Sequence, residues 1–259
     1  ALLLLLTAAL VDTGRRMIVP DRPLPDFEYF YKAGAWLLAH GGLDGAYDRL
    51  PDGSVLPRGS IPWYLPFVSR FFTLLAPLPY PVAAWTWLLV NAAALLVTLR
   101  LIAQHLMGLP RQDWPVVQLV PLILLFGAWV WEFRLNQLDG VTLLLLTAAY
   151  VHWQRGRAGP AGLWLGLAVL LKLTPALLVV WFALKRQFRV VGFALATIVL
   201  AGPIGDVIVF GPTQAASEYR AWLRQAVSAG SHRGLIVSGQ EMDWRNQATG
   251  AVLARWLAP

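Results

Sequence analysis

The feature that most constrains the fold is an uncharged apolar run from Pro81 to Leu99. Its 19 residues are enough to cross the roughly 30 Å hydrocarbon core of a bilayer as an α-helix. The same character extends over the chain, because 58% of the 259 residues are hydrophobic, 14% are charged and 13 are tryptophan. A mean hydropathy of +0.58 is too high for a water-soluble domain. We therefore predict an all-α fold, a polytopic transmembrane helical bundle with an external loop that carries interfacial helices.

The positive charge of the chain does not indicate a nucleic-acid partner. The formal net charge is +7, but the cationic residues fall mostly in short loops beside apolar runs. The positive-inside rule and anionic headgroups account for that pattern, so membrane lipids are the expected partners and no nucleic acid is. The chain contains no cysteine, which excludes disulfides and thiolate chemistry. Four scattered histidines and the absence of a phosphate-binding glycine loop predict neither a nucleotide site nor a histidine-built metal site.

Residues 62–78 are the segment on which the predicted topology depends. Three prolines and Arg70 interrupt this apolar stretch, and an arginine in mid-segment is costly in hydrocarbon. We expect a re-entrant or interfacial helix there rather than a full span. All the basic loops then share the cytoplasmic side, while Asp26 and the polar cluster at 132–139 share the external side. The basic loops are residues 100–111, 155–157 and 185–189, and the predicted spans are 81–99, 115–131, 140–153 and 190–210.

Two long polar segments and a hairpin apex are predicted on the external side. Residues 12–60 form a first external loop that is too long for a simple connection. Residues 211–247 form a second large external segment with an amphipathic helix. Residues 161–184 are typical of a short hairpin with its apex at Lys172 and Pro175. We expect residues 1–259 to be a single transmembrane domain truncated at both ends, with a cleaved signal peptide as the alternative for the apolar start.

The first external loop contains a candidate catalytic acid. Asp26 opens a predicted helix whose apolar stripe is suited to a membrane interface. The simpler alternative is that Asp26 only caps that helix after Pro25, satisfying backbone donors. Lys172 presents a similar choice, because a lysine between apolar runs needs a partner or a water-filled cavity, or else extends to the interface.

Several polar residues at the predicted external ends of the spans together form a candidate site. Each is ordinary by itself, since acids, bases and amides at helix ends are usually solvated or capping. The prediction of several such residues on one leaflet is unusual and indicates a common site. They are Asp26, Arg134, Asn136, Gln137, Asp139, Lys172, Arg245, Asn246 and Gln247.

The order of these motifs resembles glycosyltransferase family 87, the polyprenyl-phosphate-mannose-dependent mannosyltransferases of the GT-C superfamily. The resemblance covers nearly the whole chain and depends on order and spacing, because each motif is short. It is carried by Asp-Phe-Glu-Tyr-Phe-Tyr-Lys-Ala at 26–33, Tyr-Asp at 47–48, Asn-Gln-Leu-Asp at 136–139, Lys-Leu-Thr-Pro at 172–175 and Arg-Asn-Gln at 245–247. The sequence departs from the usual family pattern at 136–139, where Gly-Gln-x-Asn is typical, and at Ala248, where serine is typical.

The resemblance implies a GT-C-type bundle and a hexosyltransferase. A sugar, mannose in this family, would move from a polyprenyl-phosphate donor to a hydroxyl of a lipid or glycan acceptor, with inversion, at the external face of the plasma membrane. No cofactor is implied beyond the lipid-phosphate sugar, and no metal ligand is assigned. The implied roles are Asp26 as general base, Lys172, Arg134 and Arg245 for the donor phosphate, and Asn136, Gln137, Asp139, Asn246 and Gln247 for sugar or acceptor.

A non-enzymatic membrane protein is the alternative, either a transporter subunit or a protein that binds lipid carriers. An enzyme requires Asp26, Lys172 and residues 136–139 to face one cavity open to the outer leaflet. A transporter would place them along a path that continues inward. No internal repeat of the kind common in transporters is evident in the sequence.

Overall fold

The computed structural model describes residue 11, residues 25–42 and residues 64–232, and the regular elements in these ranges are all helical. This confirms the all-α prediction for the described part of the chain. The helices are α1 (Pro25–His40), α2 (Pro66–Phe72), α3 (Tyr80–Leu101), α4 (Trp114–Leu124), α5 (Phe126–Leu135), α6 (Asp139–Gln154), α7 (Ala158–Leu171), α8 (Ala176–Leu184), α9 (Phe188–Val199), α10 (Gly205–Phe210) and α11 (Pro212–His232). A π-helical turn, Ile102–Leu106, extends α3, and another, Leu200–Ile204, joins α9 to α10.

Two helical segments are long and apolar enough to cross a membrane, Tyr80–His105 and Phe188–Phe210. In the second, only 22% of the most apolar window is buried inside the protein, and large side chains such as Phe193 and Ile208 are exposed. A contiguous apolar surface of this size is costly in water and stable in hydrocarbon. The second segment is therefore unlike the buried core helix of a soluble protein.

The interrupted segment at 62–78 contains one short helix. Pro66 starts α2 after the extended residue Leu65, and the helix ends at Phe72. Seven residues rise only about 10 Å, far less than a hydrocarbon core. A helix of this length agrees with the expectation of a re-entrant or interfacial helix, and it buries Val68 and Phe72 against its neighbours.

One of the predicted spans has a different form in the structure, and the predicted hairpin contains two helices. The predicted span at 115–131 is interrupted at Leu125, where α4 ends and α5 begins. Pro121 removes a backbone donor within α4 and Gly127 follows the break, and both weaken a continuous helix. The hairpin at 161–184 consists of α7 and α8, and the predicted break at Lys172 is present between them.

An aromatic cluster joins the first three helices. Phe27 and Phe30 of α1 contact Phe72 of α2, which in turn contacts Trp87 of α3 with ring centroids 4.9 Å apart. All four side chains are at most 2% exposed. The close approach of α1 to α2 requires Gly34, because a Cβ there would lie 2.7 Å from the backbone carbonyl carbon of Phe72. This contact places the helix that carries Asp26.

We expect Gly34→Ala to destabilise the protein, although alanine normally favours a helix interior over glycine. The added methyl group meets backbone rather than a movable side chain, so the loss should be about 1–3 kcal/mol in the free energy of unfolding. Thermal unfolding in detergent measures it. The matched control is Gly192→Ala in α9, where a Cβ meets nothing within 4 Å and a gain of up to about 1 kcal/mol is expected. Equal behaviour of the two variants would contradict the close α1–α2 contact.

Candidate functional site

The centre of the candidate site is the tight turn between α5 and α6. Asn136 ends α5 in the left-handed conformation, with φ 52° and ψ 50°, which asparagine adopts more readily than most residues. Its backbone N–H donates to the carbonyl of Glu132 at 2.8 Å. Three residues later Asp139 begins α6. The turn therefore presents Gln137 and Asp139 at the same end of two helices.

One face of α3 holds this turn in place. The indole Nε1–H of Trp87 and the amide Nδ2–H of Asn91 both donate to the backbone carbonyl of Gln137, at 2.9 and 2.8 Å. The side-chain amide of Asn136 donates to the carbonyl of Ala84 at 3.0 Å. Positions 84, 87 and 91 follow the i, i+3, i+7 spacing of a single helix face. We call these three contacts the α3 clamp.

Glu132 supports the turn from the α5 side. Its Oε1 accepts the backbone N–H of Asp139 at 3.1 Å. Because Asp139 is the first residue of α6, that N–H has no partner within the helix, and Glu132 supplies one. The Glu132 side chain is buried, and burial, followed by the neighbouring Asp139 carboxylate, raises its pKa.

Asp26 reaches this turn from α1. The side-chain amide of Gln137 donates to Asp26 Oδ2, a contact between residues 111 positions apart in the chain. Helix α1 begins at Pro25, so Asp26 is its second residue, and its carboxylate bonds a distant element as well as opening the helix. Within residues 25–42 and 64–232, the other oxygen, Oδ1, has no hydrogen-bond donor.

The surroundings of Asp26 favour a less acidic carboxyl group than usual. Burial is the largest effect and raises its pKa, and the negative charge of Asp139 acts in the same direction. The Gln137 hydrogen bond and the positive charge of Lys172 oppose it, but the net pKa is raised. A raised pKa makes the ionised form a better proton acceptor.

Lys172 completes the group. It follows α7 in an extended conformation, and its Nζ forms an ion pair with Asp139 Oδ1. The two side chains are 29% and 40% exposed, so the pair is open to solvent or ligand on one side. Asp139 is the partner that a lysine between apolar runs requires.

An aromatic side chain that the sequence analysis did not assign lies beside these acids. Tyr64 is half-buried and stands edge-on to Phe30, with ring centroids 4.9 Å apart. Burial raises its pKa, and the negative charges of Asp26, Asp139 and Glu132 raise it further. Tyr64 is therefore close enough to these acids for their charges to act on its hydroxyl.

The structure brings together four of the nine predicted site residues: Asp26, Gln137, Asp139 and Lys172. Asn136 is 1% exposed and shapes the turn, so it would have to leave the protein interior to contact a sugar. Arg134 is half-buried on the last turn of α5, and the contacts that join Asp26 to Gln137 and Asp139 to Lys172 do not include it. The predicted roles of Arg245, Asn246 and Gln247, like the Tyr47–Asp48 motif, lie outside the described residues.

Comparison with known proteins decides the family. The sequence pattern of glycosyltransferase family 87 matches residues 63–259, which is more than half of the chain. The chain belongs to glycosyltransferase family 87. The matched range includes the turn and Lys172 and begins after Asp26.

Two curated relatives of this family 87 chain carry the same name, polyprenol-phosphate-mannose-dependent alpha-(1-2)-phosphatidylinositol mannoside mannosyltransferase. The protein from Mycobacterium tuberculosis (strain ATCC 25618 / H37Rv) is 32% identical over 66% of this chain and 43% of its own length. The protein from Mycolicibacterium smegmatis (strain ATCC 700084 / mc(2)155) is 27% identical over 76% of this chain and 42% of its own length. The chain thus spans less than half of the relatives it matches. No solved structure matches it significantly.

The α3 clamp was missed by the sequence analysis, although a signal for it exists. Asn91 is the one amide side chain in the uncharged run 81–99. An amide inside an apolar helix must be hydrogen-bonded, so Asn91 indicates a polar partner beside that helix. Trp87 gives no comparable signal, because tryptophan is frequent throughout this chain.

We expect Asn91→Leu to destabilise the family 87 fold, because it removes the amide donor to Gln137 and the Oδ1 that accepts from the Val141 N–H at 3.3 Å. The Val141 N–H then loses its side-chain acceptor and the Gln137 carbonyl keeps only the Trp87 donor, which should cost about 1–3 kcal/mol in the free energy of unfolding. Thr98→Val is the control on the same helix, since the buried Thr98 hydroxyl has no hydrogen-bond partner within the described residues. Thermal unfolding of both variants in detergent tests this, and an equally small shift for both would contradict the clamp.

Proposed function

We propose that this chain is the catalytic part of an integral membrane glycosyltransferase that transfers mannose from a polyprenyl-phosphate donor to a hydroxyl of a glycolipid or glycan acceptor. Family membership and the two named relatives support the reaction class. The observation that carries the proposal is the position of the Asp26 carboxylate, held by the Gln137 amide beside the Lys172–Asp139 ion pair. The relatives' names suggest a phosphatidylinositol mannoside as one acceptor to test.

Asp26 is assigned the role of general base. The acceptor oxygen attacks the anomeric carbon of the donor sugar while its proton passes to Asp26. The bond between that carbon and the phosphate oxygen breaks, and polyprenyl phosphate leaves with the bonding electrons. Attack opposite the leaving group inverts the anomeric carbon, through a transition state with oxocarbenium character.

The phosphate requires positive charge as it leaves. Lys172 is the proposed donor-binding cation because it lies in the same group of side chains as Asp26 and is partly open. Arg134 and Arg245 remain further candidates. Gln137 is proposed to orient Asp26, and Asp139 to orient Lys172 between reaction cycles. Tyr64 offers an aromatic face to the sugar.

The proposed setting is a polytopic helical bundle in the plasma membrane with its active site on the external face. The two apolar segments, Tyr80–His105 and Phe188–Phe210, support membrane insertion. The distribution of basic loops supports the external orientation. Since the lipid phosphate already activates the sugar, no nucleotide or other cofactor is proposed. The transporter alternative is less well supported, because the family pattern covers most of the chain.

The proposal is tested first with Asp26→Asn in membranes supplied with labelled polyprenyl-phosphate-mannose and a phosphatidylinositol mannoside acceptor. Asparagine retains the shape but removes the base, so we expect the transfer rate to fall about 10²–10⁴-fold. Glu28→Gln is the control on the same helix; it breaks only the partly exposed ion pair with Lys32 and should transfer at the wild-type rate. Transfer by the Asp26 variant at a near wild-type rate would exclude it as the base.

The second test is the pH dependence of transfer by Gln137→Leu. The amide of Gln137 lowers the pKa of Asp26, so its removal should raise that pKa further. Because the base must be ionised, activity is lost as the pH falls through its pKa, and a higher pKa means loss at a higher pH. We therefore expect the acid limb of the kcat/KM profile to move to higher pH.

The control for this test is Gln154→Leu at the opposite end of α6, where the amide bonds only the exposed Tyr150 hydroxyl. Its acid limb should coincide with that of the wild type. An unmoved or lowered acid limb in Gln137→Leu would contradict the role of Gln137 as the partner of the ionised base.

A further inference from the structure

A buried ion pair lies away from the candidate site, between α2 and α10. The guanidinium Nη1 of Arg70 is 2.5 Å from Asp206 Oδ1. The Asp206 side chain is fully buried and that of Arg70 is 16% exposed. The sequence analysis identified Arg70 as costly in an apolar stretch, and the proposed reaction uses neither residue.

Two further contacts make this pair a junction of three elements. Arg70 Nη2 donates to the backbone carbonyl of Ala201, in the π-helical turn before α10. The Tyr219 hydroxyl of α11 donates to Asp206 Oδ2 at 2.8 Å. One guanidinium and one carboxylate thus connect α2, the end of the apolar segment Phe188–Phe210, and α11.

The backbone around Ala201 is shaped for the guanidinium. Gly202 departs from helical geometry, with φ −83° and ψ −106°, and Pro203 has no N–H to donate. Within this interrupted turn, Arg70 Nη2 donates to the carbonyl of Ala201. Glycine at position 205 makes room for the guanidinium, because a Cβ there would lie 2.7 Å from Arg70 Nη1. Such π-helical interruptions occur frequently at functional sites.

The elements on one side of this junction carry Asp26. We name α1, α2 and α11 together the outer layer. Helices α1 and α2 are in close contact at Gly34 and Phe72, and the C-terminal end of α1 meets α11 at Gly42 and Gln214. Asp26 thus lies on a helix that packs directly on α2, and the aromatic cluster also joins these two helices to α3 through Trp87. Gln137 lies in the turn after α5, and Lys172 follows α7.

Stability alone is a poor explanation for the pair. Replacing a buried ion pair by apolar side chains of similar volume is often neutral or stabilising, because desolvation offsets the attraction. What a planar guanidinium adds is a defined direction, since its Nη2 donates to the Ala201 carbonyl while its Nη1 forms the ion pair with Asp206, a contact that lacks hydrogen-bond geometry.

We propose that the Arg70–Asp206 pair docks the outer layer on the apolar segment Phe188–Phe210, and that Arg70 is thereby a positioning residue for Asp26. The docking part of the proposal concerns the structure alone, whereas the positioning of Asp26 as the base rests on the proposed function. A shift of about 1 Å in a catalytic group is enough to reduce a rate about 100-fold, so a contact this far from the reaction can control it.

The first experiment measures docking without any activity. The chain contains no cysteine, so spin labels can be attached at Leu38→Cys on α1 and Leu163→Cys on α7, both exposed in the structure. Pulsed electron–electron double resonance should give one narrow distribution of label-to-label distances for the otherwise wild-type protein. Arg70→Met combined with Asp206→Met removes the pair without leaving an unpaired buried charge, and it should broaden or shift that distribution. An unchanged distribution would overturn the docking proposal.

The second experiment measures transfer with the same double variant in the full-length protein. We expect its thermal unfolding temperature to stay near that of the wild type, while kcat falls about tenfold or more and the KM for the donor lipid is little changed. Arg70→Lys keeps the charge but loses the planar guanidinium geometry and should give an intermediate kcat. If the pair is purely structural, the double variant should keep the wild-type kcat as long as it keeps the wild-type unfolding temperature. That result would overturn the positioning role.

Control variants distinguish docking of the outer layer from the positioning of Asp26. Glu28→Gln, which alters only a partly exposed pair on α1, should change neither the distance distribution nor kcat. Tyr219→Phe removes one hydrogen bond to Asp206 and should have a smaller effect than the double variant. If the wild-type protein transfers no mannose, the proposed function fails, and the distance measurement still decides whether the pair docks the outer layer.

Discussion

The candidate site depends on a single backbone carbonyl, that of Gln137, which accepts hydrogen bonds from both Trp87 and Asn91. In a low-dielectric interior such bonds are strong, and breaking them leaves polar groups unpaired, so the peptide unit they hold is well fixed. The side chain of the same residue meets Asp26, and two residues later Asp139 meets Lys172. The contacts among four side chains of the candidate site thus depend on one well-fixed turn on the face of α3.

Asp26 approaches the turn from a different part of the structure. It stands on α1, which is packed by aromatic rings on α2, and α2 is tied through Arg70 to Asp206 in the apolar segment Phe188–Phe210. Trp87 links the two supports, since it packs on Phe72 and also donates to the Gln137 carbonyl. In the proposed reaction, a contact on α2 can therefore affect the position of Asp26.

The grouping of the site residues and the interruption around Arg70 were predictable from the sequence, because they depend on local backbone preferences and on charge. The alternation of basic loops and polar helix ends predicted that Asp26, Gln137, Asp139 and Lys172 share one side, and the contacts among them agree. The prolines around Arg70 predicted an interrupted segment, and the helix there has only seven residues. What the sequence did not show was the direction of side chains. Asn136 differs from Gln137 by one position, yet the left-handed turn buries the first and points the second at Asp26. The partner of Arg70 is 136 residues away and depends on packing alone.

The ion pair between Lys172 and Asp139 has a consequence for lipid discrimination. A membrane surface is crowded with anionic headgroups, and an unoccupied ammonium group would attract any of them. Here the cation is already neutralised by a carboxylate in a partly exposed pair, an interaction in a class worth about 0–1 kcal/mol. A headgroup that offers only one negative charge gains little by replacing Asp139. In the proposed reaction, we therefore expect a ligand that also fills the neighbouring space to displace Asp139 more readily than a phospholipid headgroup does.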